Sequence, residues 1–408
     1  MKVLISAYAC EPNKGSEPEV GWQWANQIAR FHKVWVITRS NNREPIEREL
    51  KDKKNPNLHF TYFDLPYWMR FWKKGERGLF LYYYLWQIFI YFKVRSLHKR
   101  IKFDLIHHVT FVNDYFPSFL VFLQIPFVWG PIGHHLKIPN RFTKKLGLTI
   151  FLKENIKAFA KYFLRTMDPF TRFTYKKAQK ILVVNKEIID KKKDSNKYHN
   201  FYSIGIKVEE FKQVEKGHRE KIIIVSAGRL LPLKGFHLTI KAFNKFQKEF
   251  PDTILEILGD GYWRDFLKRL VFKLGIENKV KLYGNLPREI ALKKISLGDI
   301  FLFPSFEGAG FVFLEAMAFS IPIICLDWGG GGIMVTDECG IKIHPKDEDQ
   351  VVDDLFNALL KLAINENLRK KMGEAGRKRV EKEFNWDKKG EKIVRIYEEV
   401  VVLKKNQK

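Results

Sequence analysis

The 408-residue chain is long enough for two to three domains that each bury a core. Its three cysteines, Cys10, Cys325 and Cys339, are odd in number and far apart, which excludes a disulfide framework and a cysteine-rich zinc site and points to a reducing compartment. The formal charge is +26, and 37 Lys and Arg against 18 Asp and Glu place +19 of it within residues 1–210, a field that attracts polyanions without saying which.

The chain begins on an apolar strand, 2–8, with no signal-peptide pattern before it, and no uncharged apolar run reaches the roughly 18–20 residues of a membrane-spanning helix. The expected location is therefore cytoplasmic. A glycine-bounded loop follows, Gly15-Ser16-Glu17-Pro18-Glu19-Val20-Gly21-Trp22, leading into a helical stretch over 22–31. Its amides and helix dipole could meet an anion, and an ordinary helix cap explains the pattern equally well.

Further strands are expected at 34–38, 58–63, 104–108, 126–129 and 181–184. Strand 104–108 ends on His107 and His108, which alternation turns to opposite faces. Between strands, residues 79–92 are a run of aliphatic and aromatic side chains with basic flanks, and 141–180 is a second basic and apolar stretch. Both fit two readings equally: an interfacial surface that leans on an anionic membrane, or core helices with a solvated basic rim.

A break at 205–220 separates this series from a second one at 221–227, 254–258, 280–283, 300–304, 321–326 and 341–343. The alternation of strands and amphipathic stretches predicts an α/β chain of two doubly wound parallel sheets. Ligands of such sheets bind beyond the carboxyl ends of the strands, and two facing domains would hold a substrate in the cleft between them.

In the loop Gly228-Arg229-Leu230-Leu231-Pro232-Leu233-Lys234-Gly235 the two cations Arg229 and Lys234 suit a diphosphate. From Ile300 to Leu326 the chain is apolar except for Glu307 and Glu315. A carboxylate in such a setting needs donors, and a sugar diol supplies two. The pair disfavours glycoside hydrolysis, because eight helical steps span about 12 Å against the roughly 5–9.5 Å that such chemistry uses. Asp347-Glu348-Asp349 reads as a helix start and not as a metal motif. Gly259-Asp260-Gly261 lacks the third glycine of a dinucleotide fingerprint.

These residues resemble the family 4 retaining glycosyltransferases of GT-B architecture. Glu307 and Glu315 match that family's E-x7-E motif, and Arg229 with Lys234-Gly235 matches its donor-phosphate loop. The segment Gly15-Ser16-Glu17-Pro18 with Gly21-Trp22 resembles one bacterial subgroup. The resemblance implies two facing Rossmann-like domains: 1–205 binding the acceptor, 206–383 binding the nucleotide-sugar, and a carboxyl-terminal helix, 384–408, crossing back to the first. It implies a nucleoside-diphosphate sugar as donor, a glycan or lipid-linked acceptor, no metal, no other cofactor and no nucleic acid.

The roles that the resemblance carries over are these. Arg229 and Lys234 neutralise the leaving diphosphate, Glu315 holds the ribose, and Glu307 holds the donor sugar beside the amides of Gly308, Ala309, Gly310 and Phe311. Gly15 and Ser16 close over the phosphates. His107 meets the acceptor near the reacting carbon, with His108 the weaker candidate, and the base is expected near Gly284-Asn285-Leu286. A nucleotide-sugar hydrolase or epimerase on the same fold is the nearer alternative, and a basic nucleic-acid-binding protein the more distant one.

Overall fold

The computed structural model describes residues 1–75, 77–133, 137–184, 195–214, 221–308 and 310–405. Two compact units partition the chain, one of Met1–His134, Lys157–Gly205 and Trp386–Lys408, the other of His135–Ile156 and Ile206–Asn385. Residues 135–156 thus group with the second unit, whereas the sequence reading assigned all of 1–205 to the first. The local reason is aromatic: Phe142 packs on Phe306, with ring centroids 4.8 Å apart.

The first unit carries a seven-stranded sheet in the order β3-β2-β1-β4-β5-β6-β7. Its strands are β1 (Lys2–Ser6), β2 (Lys33–Thr38), β3 (Leu58–Tyr62), β4 (Leu105–His108), β5 (Phe127–Ile132), β6 (Lys180–Val183) and β7 (Tyr198–Asn200). Every pairing is parallel. Helices cover both faces of such a sheet, and Val3, Leu4 and Ile5 of β1 are accordingly buried regardless of alternation.

After β1 the helix Ser16–Ala29 begins six residues earlier than 22–31 predicts. Glu17 and Glu19 in its first turn suit the positive end of the dipole, and Pro18 is tolerated where no intrahelical N–H bond is yet made. Gly21 is required by contact: a Cβ there would stand 2.1 Å from the Ala9 carbonyl oxygen. The aromatic run lies in the helix Leu79–Ile101, which buries Tyr82, Tyr83, Trp86, Ile90, Val94 and Leu97 in the main core of this unit. Residues 79–92 are thus core along one side of this helix, while Phe80, Leu81 and Phe92 are exposed on it. Among the described residues no helix is long and apolar enough to cross a membrane.

The carboxyl-terminal helix Trp386–Lys405 belongs to the first unit. Trp386 meets the edge of Trp24 at 5.8 Å, and Asp387 accepts hydrogen bonds from Gln27 (2.9 Å) and Arg30 (2.6 Å). Lys389, nearly fully buried, donates to the Tyr202 carbonyl and lies against the Phe201 ring at 4.5 Å.

The second unit carries a six-stranded parallel sheet in the order β10-β9-β8-β11-β12-β13. The strands are β8 (Ile222–Ala227), β9 (Thr253–Leu258), β10 (Val280–Leu282), β11 (Ile300–Phe303), β12 (Ile323–Leu326) and β13 (Gly340–Ile343). Helices Phe236–Glu249, Arg264–Lys273, Arg288–Ser296, Phe311–Ala318, Gly329–Met334 and Glu348–Ile364 follow them in turn. The last of these starts as the sequence indicates: Asp347 caps it, its carboxylate accepting from the Gln350 N–H at 3.0 Å. Cys10, Cys325 and Cys339 are buried and unpaired.

Candidate active site

The carboxyl ends of the second sheet gather the loops that carry the expected donor residues. After β8, a short turn Pro232–Lys234 ends on Gly235, whose φ of +73° is left-handed. A Cβ at Gly235 would lie 2.1 Å from the Pro304 carbonyl oxygen, so only glycine lets this loop seat on the loop after β11. The Phe306 N–H donates to the Leu233 carbonyl at 3.0 Å and locks the two together. This seating brings Lys234 Nζ to 2.6 Å from Glu307 Oε2 and to 5.4 Å from the centroid of the Phe303 ring. Lys234 is buried, while the Glu307 side chain keeps 32% of its surface exposed.

Arg229 sits in the same loop and is exposed, with no side-chain hydrogen bond or ion pair among the described residues. Glu307 is held through its backbone: its N–H donates to Ser305 Oγ at 3.2 Å, and its carbonyl accepts from the Gly330 N–H at 2.8 Å. Gly308 lies in the bend after Glu307, Ala309 lies outside the described residues, and extended Gly310 leads into the helix that Phe311 opens. The first N–H groups of a helix have no acceptor within it and are available to an anion.

Glu315, on the same helix, is buried and receives the Arg288 guanidinium, Nη1 to Oε1, at 2.8 Å. Burial pushes its carboxyl above the usual range, and the Arg288 charge pulls the other way. Arg288 is the site residue that the sequence reading missed. It opens the helix Arg288–Ser296 that follows β10, 27 residues away, and its side chain remains 60% exposed. Because the folded state holds this carboxylate at a cost, Glu315→Gln is expected to raise the melting temperature at neutral pH while weakening ligand binding. Paired melting and titration curves check both directions.

The histidines of β4 lie on opposite faces of the sheet, and both are buried, with His108 Nδ1 left without a hydrogen-bond partner among the described residues. His107 is fully buried; its Nε2–H donates to the Gly130 carbonyl at 2.8 Å, which leaves Nδ1 to accept from the Tyr397 hydroxyl at 2.5 Å. His107 therefore clasps the carboxyl-terminal helix instead of pointing out of the sheet, a correction to its expected catalytic and acceptor-binding place. His108 is equally buried and lies 3.0 Å from the Tyr83 hydroxyl through Nε2. Burial pulls both down to about 3.

That depression has a defined sign. The unfolded chain takes up protons near pH 6.5 that the folded unit refuses, so stability is full above that value and falls as pH drops toward 3. Denaturant midpoints are expected to be lower at pH 5 than at pH 7.5, with a shallower slope in His108→Gln.

Gly15 and Ser16, both at positive φ, open the helix after β1 in the first unit. Glu17 ties that helix to the loop after β4, accepting from the Phe111 N–H at 2.7 Å.

Comparison with solved structures identifies the class of fold. The chain matches sucrose-phosphate synthase from Thermosynechococcus elongatus with a TM-score of 0.69 at 17% identity, over 98% of this chain and 99% of that one. It matches Anabaena HepE in complex with UDP with a TM-score of 0.64 at 15% identity, over 98% and 100%. The architecture is GT-B. Within it, residues 207–379, in the second unit, match the family model described as Glycosyl transferases group 1.

Among curated relatives, the GDP-mannose-dependent monoacylated alpha-(1-6)-phosphatidylinositol monomannoside mannosyltransferase of Corynebacterium glutamicum is 33% identical over 182 residues, 43% of this chain and 46% of its own. The alpha-D-kanosaminyltransferase of Streptomyces kanamyceticus is 27% identical over 186 residues, 45% of this chain and 47% of its own. The matched part thus spans about half the length of these relatives.

Proposed function

We propose that the chain transfers a sugar from a nucleoside-diphosphate sugar to an acceptor hydroxyl on a lipid-linked or cell-surface glycan precursor, with retention at the anomeric carbon. The observation that carries the reading is the seating of Lys234 against Glu307 by Gly235 at the carboxyl edge of a group 1 domain. The leaving diphosphate gains charge as the glycosidic bond lengthens, and Lys234, Arg229 and the amides that open the helix Phe311–Ala318 stabilise it there. Glu307 holds hydroxyls of the donor sugar. Glu315 holds the ribose, exchanging its bond to the exposed Arg288 for the two hydroxyls.

Lys234, held in place, and Arg229 supply the neutralisation, so no metal takes part in the proposed step. Turnover is expected to survive a strong chelator unchanged. The base is decided by experiment: a thermal-shift screen of GDP, UDP and ADP with their sugars is expected to single out one, since a ligand of the folded state stabilises it by mass action. A screen in which none shifts the melting point contradicts the reading. Proton NMR of the product gives the anomeric configuration, and an inverted product contradicts retention.

The proposed location is the cytoplasmic face of an anionic membrane. Its support is the helix Leu148–Met167, which buries no residue. Leu148, Leu152, Ile156, Phe159, Phe163 and Met167 recur at helical spacing and are 48–71% exposed. Arg141, Lys144 and Lys145 lie exposed just before them, the combination of apolar face and basic flank that suits an interface of anionic lipid. Co-sedimentation with phosphatidylglycerol vesicles is expected, falling at least severalfold in a Phe159→Ser, Phe163→Ser variant. Equal sedimentation of variant and wild type, or a dimer that buries the helix, contradicts it.

A further inference from the structure

The first unit holds a cluster of cations for which the proposed function gives no use. At the ends of β2 and β3, Arg39 pairs with Asp64, Nε to Oδ1 at 2.9 Å, and its guanidinium lies 5.2 and 5.0 Å from the ring centroids of Tyr8 and Tyr82. The Tyr82 hydroxyl donates to the same carboxylate at 2.6 Å, and Arg70 approaches it at 3.4 Å. Lys73 stands 5.5 Å from the Tyr82 centroid and donates to the Gly75 carbonyl at 3.1 Å. Three cations therefore gather around Asp64, a net charge of about +2 in a partly dry place.

Two observations show that the cluster is electrostatically incomplete. Arg70 Nε–H is buried without an acceptor among the described residues. Burial, and the Arg39 charge after it, depress the Lys73 ammonium. Like charges held together in this way are relieved by an anion. The position suits a ligand, because Arg39 and Asp64 lie one and two residues beyond the carboxyl ends of the adjacent parallel strands β2 and β3. The segment that supplies Arg70 and Lys73 also presents Tyr67, Trp68 and Phe71, 62–76% exposed, which offer rings to a sugar face or an acyl chain.

We propose that Arg39, Arg70 and Lys73 bind a phosphoryl group on the acceptor, with Tyr67, Trp68 and Phe71 rimming the subsite. This rests on the reading of the chain as a glycosyltransferase and specifies its acceptor as anionic. Charge-assisted hydrogen bonds from two arginines and a lysine give such a group most of its hold, and Asp64 fixes the geometry of the donors while reducing the net field.

Inorganic pyrophosphate is the probe, titrated calorimetrically into the full chain carrying Arg229→Ala and Lys234→Ala, so that the phosphate loop of the second unit is silent. Saturable binding is expected to remain in that background. Arg70→Gln and Lys73→Gln, both half-exposed, are each expected to weaken it about tenfold. Asp64→Asn is expected to tighten it, the opposite sign from any general loss of structure. No binding in the background variant, or unchanged affinity in both Arg70→Gln and Lys73→Gln, overturns the proposal; if Asp64→Asn fails to fold, these two variants still decide it.

Competition by hexyl phosphate stronger than by inorganic phosphate assigns a lipid-linked acceptor, and equal competition a soluble phosphorylated one; either outcome supports the anionic subsite. Nucleoside-diphosphate binding to the wild-type chain is the separate readout for the donor site. Its absence removes the glycosyltransferase reading without altering the pyrophosphate result.

Discussion

Lys234→Ala is expected to lower kcat/KM for sugar transfer by about a thousandfold, roughly 4 kcal/mol of transition-state stabilisation, as the loss of a preorganised charge partner does elsewhere. The ammonium is held before any ligand arrives, by the left-handed turn at Gly235 and by the ion pair to Glu307. A charge fixed in this way pays no reorganisation when the diphosphate develops its negative charge. The stability effect is expected to be small, since the partner left behind, Glu307, is about one third exposed and can be hydrated. A circular-dichroism melt beside the kinetics separates the two. Near-normal turnover in a folded Lys234→Ala would remove the proposed role.

Glu307→Gln is expected to cost about a hundredfold to a thousandfold in kcat, a loss comparable to that of a residue acting on the transition state, yet to tighten binding of the nucleoside diphosphate alone. The two signs differ because the residue has two partners. Toward the sugar, the carboxylate accepts hydroxyl hydrogen bonds that a neutral amide accepts more weakly. Toward Lys234 it is a competitor for the diphosphate, and its neutralisation frees the ammonium. Binding titrations with the diphosphate and with the whole nucleotide-sugar are expected to move in opposite directions, and parallel weakening of both would contradict the assignment.

Much of the architecture was legible because parallel sheets covered on both faces leave continuous apolar runs. Ile300–Phe303 and Ile323–Leu326 stand out for that reason, and their loops could be placed before any coordinates. The strand Tyr198–Asn200 carries no such run and was missed. The start of the helix at Ser16 was missed because Pro18 and Gly21 mimic a loop; the glycine is there for the close approach of Ala9, a contact no local pattern encodes.

Lys234 and Glu307 were legible as isolated charges in apolar surroundings, though nothing in their spacing gave the 2.6 Å contact between them. Arg288 was not, because the group that meets Glu315 comes from the start of a different helix. His107 was misplaced for a related reason. Alternation correctly sends the two histidines to opposite faces, but one face is closed by Tyr83 of the helix Leu79–Ile101 and the other by Tyr397 of a helix nearly three hundred residues later, so neither face leads to solvent.

Calorimetric titration of the wild-type chain and of Lys234→Ala with the nucleotide-sugar selected by the thermal-shift screen tests the donor site most directly. The account predicts saturable one-site binding in the wild type and at least tenfold weaker binding in the variant. Equal affinity in the two proteins would contradict it.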